Sequence, residues 1–141
     1  MKNIIFLGLL AFSLSTNINA QSSDRDLIIQ TIKGFAHAGD SNDAKKLGTY
    51  LDENYRIVMN RLFGSTAVAV MNRNTYLEKI ESKEFGGDKR KVKVESVTLN
   101  GTTASAKVIL NGKKMNSVSL LTLLKDDSNQ WKLVSDIPII K

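Results

Sequence analysis

The first half of the chain shows apolar residues at the spacing of an α-helix. The first block follows Ser23-Asp24-Arg25-Asp26, where a serine and an acid three residues later have the spacing of a capping box. This block predicts a helix that begins at Ser23 and ends at Gly39. Its apolar positions are Leu27, Ile28, Ile32, Phe35 and Ala36.

Two shorter helices are predicted downstream. Asp40 or Ser41 would cap the second, and Asn72 begins the third, which ends before Gly86-Gly87. Their inward positions are Ala44, Leu47 and Leu51 in the second helix and Tyr76, Leu77 and Ile80 in the third. Between these helices the apolar period changes to two over residues 55–59 and 66–71, which predicts two strands joined through a Gly64-Ser65 turn.

From residue 89 to the end of the chain the period of two persists. Asn100-Gly101 and Asn111-Gly112 are strong hairpin signals, because the tightest turns require positive φ at both central residues. With a third turn over residues 126–130, they predict an antiparallel meander of strands at residues 90–99, 102–110, 113–125 and 130–140.

The first strand of this meander changes face part of the way along. Val92 and Val94 share one parity, whereas Val97 and Leu99 have the other. A one-residue bulge near Glu95-Ser96 would return both pairs to the core and bend the sheet. The inward positions of the next strand are Ala104, Ala106, Val108 and Leu110. Their small side chains leave space beneath the helices, which is either a pocket or is closed by nearer packing.

The first twenty residues have the composition of an export signal. Lys2 precedes an apolar run over residues 4–14, and Ile18-Asn19-Ala20 fits a cleavage site. The run is too short to span a bilayer comfortably, although a retained anchor is the alternative. We predict a signal peptide over residues 1–20 and a single domain over residues 21–141, exported as a soluble periplasmic or extracellular protein.

Removal of the signal leaves 121 of the 141 residues, enough to bury a core, and lowers the net charge from +6 to +5 because it removes Lys2. The chain has no cysteine, which excludes disulfides, thiolate metal sites and lipid attachment through cysteine. Lys89, Arg90, Lys91 and Lys93 crowd one strand. We interpret them as a solvated strand edge rather than a nucleic-acid site, since no aromatic residues interleave with them.

The order helix, helix, strand, strand, helix and four long strands resembles the nuclear transport factor 2-like cone of ketosteroid isomerases and SnoaL-like polyketide cyclases. More closely, the chain resembles the small secreted bacterial proteins named "putative lumazine-binding". The matching stretches are Gly39-Asp40, "MNRNTYLEKI" (71–80), "VESVTLNGTTASAKVIL" (94–110) and "WKLVSD" (131–136). The resemblance implies an α+β fold with three helices on a strongly bent mixed sheet, a deep cavity at the open end and a dimer through the outer face of the sheet.

Two residues are candidates for a catalytic base. His37, the only histidine, lies in the last turn of the first helix, where the helix dipole favours a positive charge. We interpret it as a helix-end residue, with pocket lining as the alternative. Asp136 has the parity opposite to Trp131 and Leu133, so simple alternation predicts that it points outwards, to solvent or to a partner. No metal-ligand set or cofactor motif accompanies either residue, and we predict no cofactor.

Tyr55, Tyr76 and Trp131 combine an apolar body with a polar tip, which suits a cavity wall or an ordinary core. We predict that they line a ligand pocket. Because no acid–base pair is evident, we expect non-catalytic binding of a small, partly apolar molecule. The alternatives are a cavity enzyme, a lyase or isomerase that transfers a proton through Asp136 or His37, and a structural domain with a filled core.

The third strand of the meander has apolar residues on both faces. Leu121 and Leu123 have the parity opposite to Val118, Leu120 and Leu124. Both faces therefore need cover, and a second copy of the chain would supply it on the outer one. We predict a homodimer, with neither a nucleic-acid partner nor stable membrane insertion after signal removal.

Overall fold

The computed structural model describes the backbone of residues 16–141 and the side chains from Ser23 onward. The predicted signal run at residues 4–14 lies outside the described residues. The described helices are α1 (Thr16–Asp40), α2 (Ala44–Gly48) and α3 (Arg73–Glu81). The described strands are β1 (Leu51–Asn60), β2 (Val68–Asn72), β3 (Lys91–Asn100), β4 (Thr103–Asn111), β5 (Asn116–Lys125) and β6 (Trp131–Ile140).

The six strands form one mixed sheet in the order β2-β1-β6-β5-β4-β3. β1 and β6 are parallel, and the other neighbours are antiparallel, including the whole predicted meander. The three helices pack on one face of this curved sheet, so the predicted α+β class is confirmed. In the described part of the chain no helix is both long and apolar enough to cross a bilayer.

The predicted helix starts need correction. The described part of α1 already includes Thr16, so Ser23 lies within the helix and does not begin it. Asp24 instead accepts hydrogen bonds from Lys125 Nζ (2.9 Å) and Trp131 Nε1 (3.1 Å). α2 is capped by Asp43, which accepts from Lys46 N, and not by Asp40 or Ser41.

Two further helical predictions have opposite outcomes. Leu51 begins β1 rather than continuing α2, since it pairs with Leu133 of β6, whose backbone N donates to Tyr50 O (2.9 Å). At α3 the predicted start is confirmed, as Asn72 caps the helix by accepting a hydrogen bond from Thr75 N (2.9 Å). The inward positions Tyr76 and Ile80 are buried, as predicted.

The predicted bulge in β3 is confirmed. The register between β3 and β4 shifts between Val94 and Ser96, so that Val92 and Leu99 both pack against the core. On β4 the four predicted inward residues, Ala104, Ala106, Val108 and Leu110, are all buried. A bulge of this kind bends its strand, and Ala104 and Ala106 belong to the same core cluster as Phe35 and Ala36 of α1.

Candidate ligand cavity

The open end of the sheet holds a cavity of about 380 Å³. Its walls come from α1, α3, the inner face of strands β1, β4, β5 and β6, and the segment between α3 and β3. Most of the wall is apolar, from Phe35, Ile57, Met59, Tyr76, Ile80, Phe85 and Leu110. The polar residues of the lining are Glu84, Asp88, Arg90, Lys114, Ser117, Ser119 and Asp136.

Asp136 is the buried acid of the cavity wall, since Glu84 and Asp88, which also line it, are more exposed. Its side chain is only 7 % exposed, and among the described residues its Oδ1 has no hydrogen-bond partner. Burial raises the pKa of Asp136 to about 6, against smaller opposing effects of a hydrogen bond with Ser119 and the charge of Arg90. The carboxyl group can therefore change its protonation state near neutral pH within an apolar cavity.

The outward orientation predicted for Asp136 is wrong, and a second bulge is the reason. Along β6, Leu133 pairs with Leu123 of β5, whereas Ser135 pairs with Thr122, so Val134 is an extra residue in the ladder. Beyond this bulge the parity of β6 is reversed. Asp136 points inwards, whereas Ile137 lies on the outer face and is 38 % exposed.

Arg90, directly before β3, lines the cavity and is held by α1. Its backbone N and its Nε both donate to the Asp40 carboxylate, and its Nη2 donates to Ala36 O (3.1 Å). The earlier interpretation of residues 89–93 as a solvated edge is therefore wrong for Arg90, whose half-buried ion pair joins the end of α1 to the start of β3. It is correct for Lys89, Lys91 and Lys93, which are exposed.

The two predicted tyrosines lie close together, with ring centroids 5.7 Å apart, but only Tyr76 lines the cavity. Tyr55 lies next to Tyr76 and Phe35, is 1 % exposed, and has a hydroxyl without a partner among the described residues. Burial raises the pKa of both tyrosines well above the ordinary value, helped at Tyr55 by the charge of Asp136. Both phenols therefore stay protonated and can donate hydrogen bonds.

Trp131 and His37 lie away from this cavity. Trp131 is buried near the start of α1, where Lys125 Nζ lies 5.9 Å from the ring centroid, and it borders a separate, smaller cavity of about 260 Å³. The structure therefore does not bring Trp131 together with Tyr76. His37 is exposed in the last turn of α1. Among the described side chains, no three His, Cys, Asp or Glu residues converge as metal ligands.

Sequence reasoning missed three groups of this site: the inward Asp136, the ion-paired Arg90, and the serines Ser117 and Ser119. The alternation along β5 contains the signal for the serines, because they share the parity of the core residue Leu121. The position of Arg90 depends on Asp40, 50 residues earlier in the chain, and the orientation of Asp136 depends on the bulge at Val134. No local sequence pattern marks either.

Comparisons with known proteins agree with this architecture. Two nuclear transport factor 2-like proteins of unknown function have similar structures. The one from Shewanella baltica OS155 has a TM-score of 0.72 at 16% identity, over 90% of this chain and 98% of that one. The one from Silicibacter pomeroyi DSS-3 has a TM-score of 0.75 at 17% identity, over 86% and 98%.

A third similar structure is described as a "Putative Scytalone Dehydratase" from Novosphingobium aromaticivorans DSM 12444, with a TM-score of 0.67 at 16% identity, over 88% of each chain. At these identities the likeness concerns the fold. No curated protein is significantly similar in sequence. A family profile described as "Putative lumazine-binding" matches residues 23–137. Because that match spans most of the chain, this protein belongs to the "Putative lumazine-binding" family.

Proposed function

We propose that the chain is an exported, non-catalytic domain that binds a small, partly apolar molecule in this cavity. The observation that carries the proposal is that Oδ1 of the buried Asp136 has no partner among the described residues, in a mostly apolar wall. A buried polar atom without a partner costs about 1–3 kcal/mol, so its retention at the cavity is explained if a ligand supplies the missing hydrogen bond. We therefore expect a ligand with an apolar body and an N–H or O–H donor.

A thermal-shift screen at pH 7.5 against small aromatic and heterocyclic compounds, with and without such a donor, tests this proposal. A compound that binds only the folded chain raises its melting temperature. Asp136→Asn should weaken binding of a donor-bearing compound by about tenfold or more, because a hydrogen bond to a charged group is lost. His37→Ala and Trp131→Phe, which change residues outside the cavity, should leave the affinity unchanged. A screen without hits, or hits insensitive to Asp136→Asn, would contradict the proposal.

A second candidate is an enzyme that uses Asp136 to move a proton, as a lyase or isomerase would. A buried carboxyl group whose pKa is about 6 suits a general base, with Ser119 beside it as a second polar group. The test is incubation of each compound found in the screen with the protein in D₂O. A base that removes a carbon-bound proton would exchange it for deuterium, which NMR detects, and Asp136→Asn would abolish the exchange. A binding domain leaves the compound unlabelled.

Export is also part of the proposal. Lys2, the apolar run and Ile18-Asn19-Ala20 support cleavage after Ala20. Sequencing the N-terminus of the protein isolated from its host should therefore give Gln21 as the first residue. A cytosolic protein that retains the first twenty residues would contradict it.

We further propose that two copies pair through the outer face of the sheet. This face carries the neighbouring pairs Leu120–Ile137 and Val118–Ile139. Leu120 is 46 % and Ile139 is 52 % exposed, although both lie on central strands of the sheet. An exposed apolar patch of this kind on a sheet is typical of a protein interface.

A further inference from the structure

The mouth of the cavity carries exposed apolar and basic residues. The loop between β1 and β2 and the hairpin between β4 and β5 both reach this end of the sheet, and we call six of their residues the rim: Arg61, Leu62, Phe63, Lys113, Lys114 and Met115. Four of them, Leu62, Phe63, Lys114 and Met115, line the cavity. Phe63 is 80 % exposed, and Met115 is 39 % exposed. Both line the cavity opening rather than the outer face of the sheet.

Phe63 is held in this exposed position by its own loop. Arg61 N donates to Ala67 O (3.3 Å), and Ser65 N donates to Leu62 O (3.1 Å). Phe63 itself has a positive φ of 54°, which an L-residue rarely adopts. The loop therefore presents the ring to solvent at a backbone cost, whereas an exposed phenylalanine without a partner gains nothing in a monomer.

The rim is also cationic. Arg61, Lys113 and Lys114 are exposed, and among the described side chains none of them forms an ion pair. The Asp88 carboxylate near them accepts hydrogen bonds from the backbone N of Lys113 and Lys114, both at 3.0 Å, which fixes the hairpin without neutralising the two ammonium groups directly.

The opposite end of the molecule has the opposite character. The turn between β5 and β6 contains Asp126 and Asp127, with Lys125 and Lys132 on either side of it, and Asp52 and Glu53 lie at the start of β1, so acids outnumber lysines here. The two ends of the sheet therefore differ in charge, which orients the molecule towards an anionic surface with the cavity mouth first.

We propose that this rim docks on an anionic lipid surface, with Phe63 entering the interfacial layer and the cavity mouth facing the membrane. An exposed aromatic ring flanked by basic residues is the combination that binds such surfaces peripherally, through apolar burial and attraction to acidic headgroups. This contact requires no membrane-spanning segment. It is also independent of the proposed function, because vesicle binding can be measured without any cavity ligand.

Co-sedimentation of the mature chain with vesicles tests the proposal. Binding should be clear with equal parts of phosphatidylglycerol and phosphatidylcholine, weak with phosphatidylcholine alone, and lower at high salt. Lys113→Glu with Lys114→Glu should reduce the partition constant by about tenfold or more. The matched control, Lys33→Glu with Lys46→Glu, makes the same charge change on exposed residues of α1 and α2 and should have a much smaller effect. Lys46 lies over Tyr50, which borders the smaller cavity at the other end.

The apolar contribution needs its own pair of variants. Phe63→Ser should reduce binding by about fivefold or more, whereas Leu27→Ser, on the 41 % exposed residue of α1, should not. Phe63→Trp should give a blue shift of emission on anionic vesicles, since Trp131 is buried at the other end and contributes a constant background. Absence of binding to anionic vesicles would overturn the proposal. Equal losses of vesicle binding in the rim and control charge variants would also overturn it. So would binding that Phe63→Ser leaves unchanged, a result that would indicate a soluble polyanion as the partner.

Discussion

Burial and charge oppose each other at Asp136, and the conflict has a measurable effect on stability. The pKa of this carboxyl group rises from its ordinary value of 3.8 to about 6 on folding. Between these two values the folded chain binds more protons than the unfolded chain, so the free energy of unfolding falls as the pH rises. The stabilisation is complete below pH 4 and is lost above about pH 6.

Asp136→Asn should remove this dependence. The amide has the shape of the protonated acid but never ionises, so the variant should be more stable than the parent at pH 7.5, by up to about 3 kcal/mol. Near pH 3.8 the two proteins should differ little. Urea unfolding at several pH values measures this, and a gap that stays constant from pH 4 to pH 8 would contradict the burial of a titrating carboxyl group.

Tyr55 offers a second residue-scale prediction. Its hydroxyl is buried without a partner among the described residues, so Tyr55→Phe removes an unpaired polar atom and keeps the packing of the ring. We expect the free energy of unfolding to stay the same or rise by about 1 kcal/mol. Denaturant unfolding measures the change. A loss of more than about 2 kcal/mol would show that the hydroxyl has a partner, since only a satisfied hydroxyl is costly to remove.

The segment between α3 and β3 depends on one glycine. Gly86 has a positive φ of 78°, and a Cβ built there would lie 2.2 Å from Gly39 O of α1. Asn42 secures the same junction, because its Nδ2 donates to Ile80 O (3.0 Å) and Phe85 O (2.7 Å). This close approach brings Phe85 and Gly86 into the cavity wall.

Gly86→Ala should therefore be far more costly than a substitution at a turn glycine with open surroundings. Gly101 provides the matched control, since its φ is also positive, at 59°, and a Cβ there would meet nothing within 4 Å. Gly101→Ala should cost about 1 kcal/mol from backbone strain alone. Gly86→Ala adds the backbone collision and should cost about 3 kcal/mol or more. Equal melting temperatures for the two variants would mean that the α1 junction is not close-packed.

The two bulges show which strand orientations could be predicted from the sequence and which could not. In β3 the apolar pairs on both sides of Glu95-Ser96 have no other plausible face, so the parity change was predictable and is confirmed. In β6 the bulge has no comparable signal in the sequence. Ile137 has the parity of Trp131 and Leu133 and is apolar, so alternation placed it in the core, whereas the bulge at Val134 puts it on an outer face that is apolar too. The site was mispredicted at Asp136 because both faces of β6 are apolar.

At the scale of the whole molecule, the fold was predictable because the order of elements and the hairpin turns suffice to specify it. The cavity residues were less predictable than the fold. Tyr76 was among the residues predicted to line a pocket, but the position of Arg90 depends on an ion pair with Asp40, 50 residues earlier. Trp131 packs at the far end of the molecule, where its Nε1 donates a hydrogen bond to Asp24 of α1. Such contacts between distant parts of the chain leave no periodic signal.

The outer face of the sheet leads to the last prediction, which concerns assembly. Leu120 lies in the middle of β5, next to Ile137 of β6, and 46 % of its surface is exposed in a single chain. If two copies pair through this face, Leu120→Glu places a charge without a partner in the interface and should convert the dimer to a monomer, with little effect on the fold of each chain. Leu27→Glu is the matched control, because Leu27 is similarly exposed, at 41 %, but lies on α1, away from the sheet's outer face. Light scattering at tens of micromolar protein should give a dimer for the parent and the control and a monomer for Leu120→Glu. A monomeric parent, or a dimer that survives Leu120→Glu, would show that the outer face is not the interface, and its apolar residues would then need another explanation.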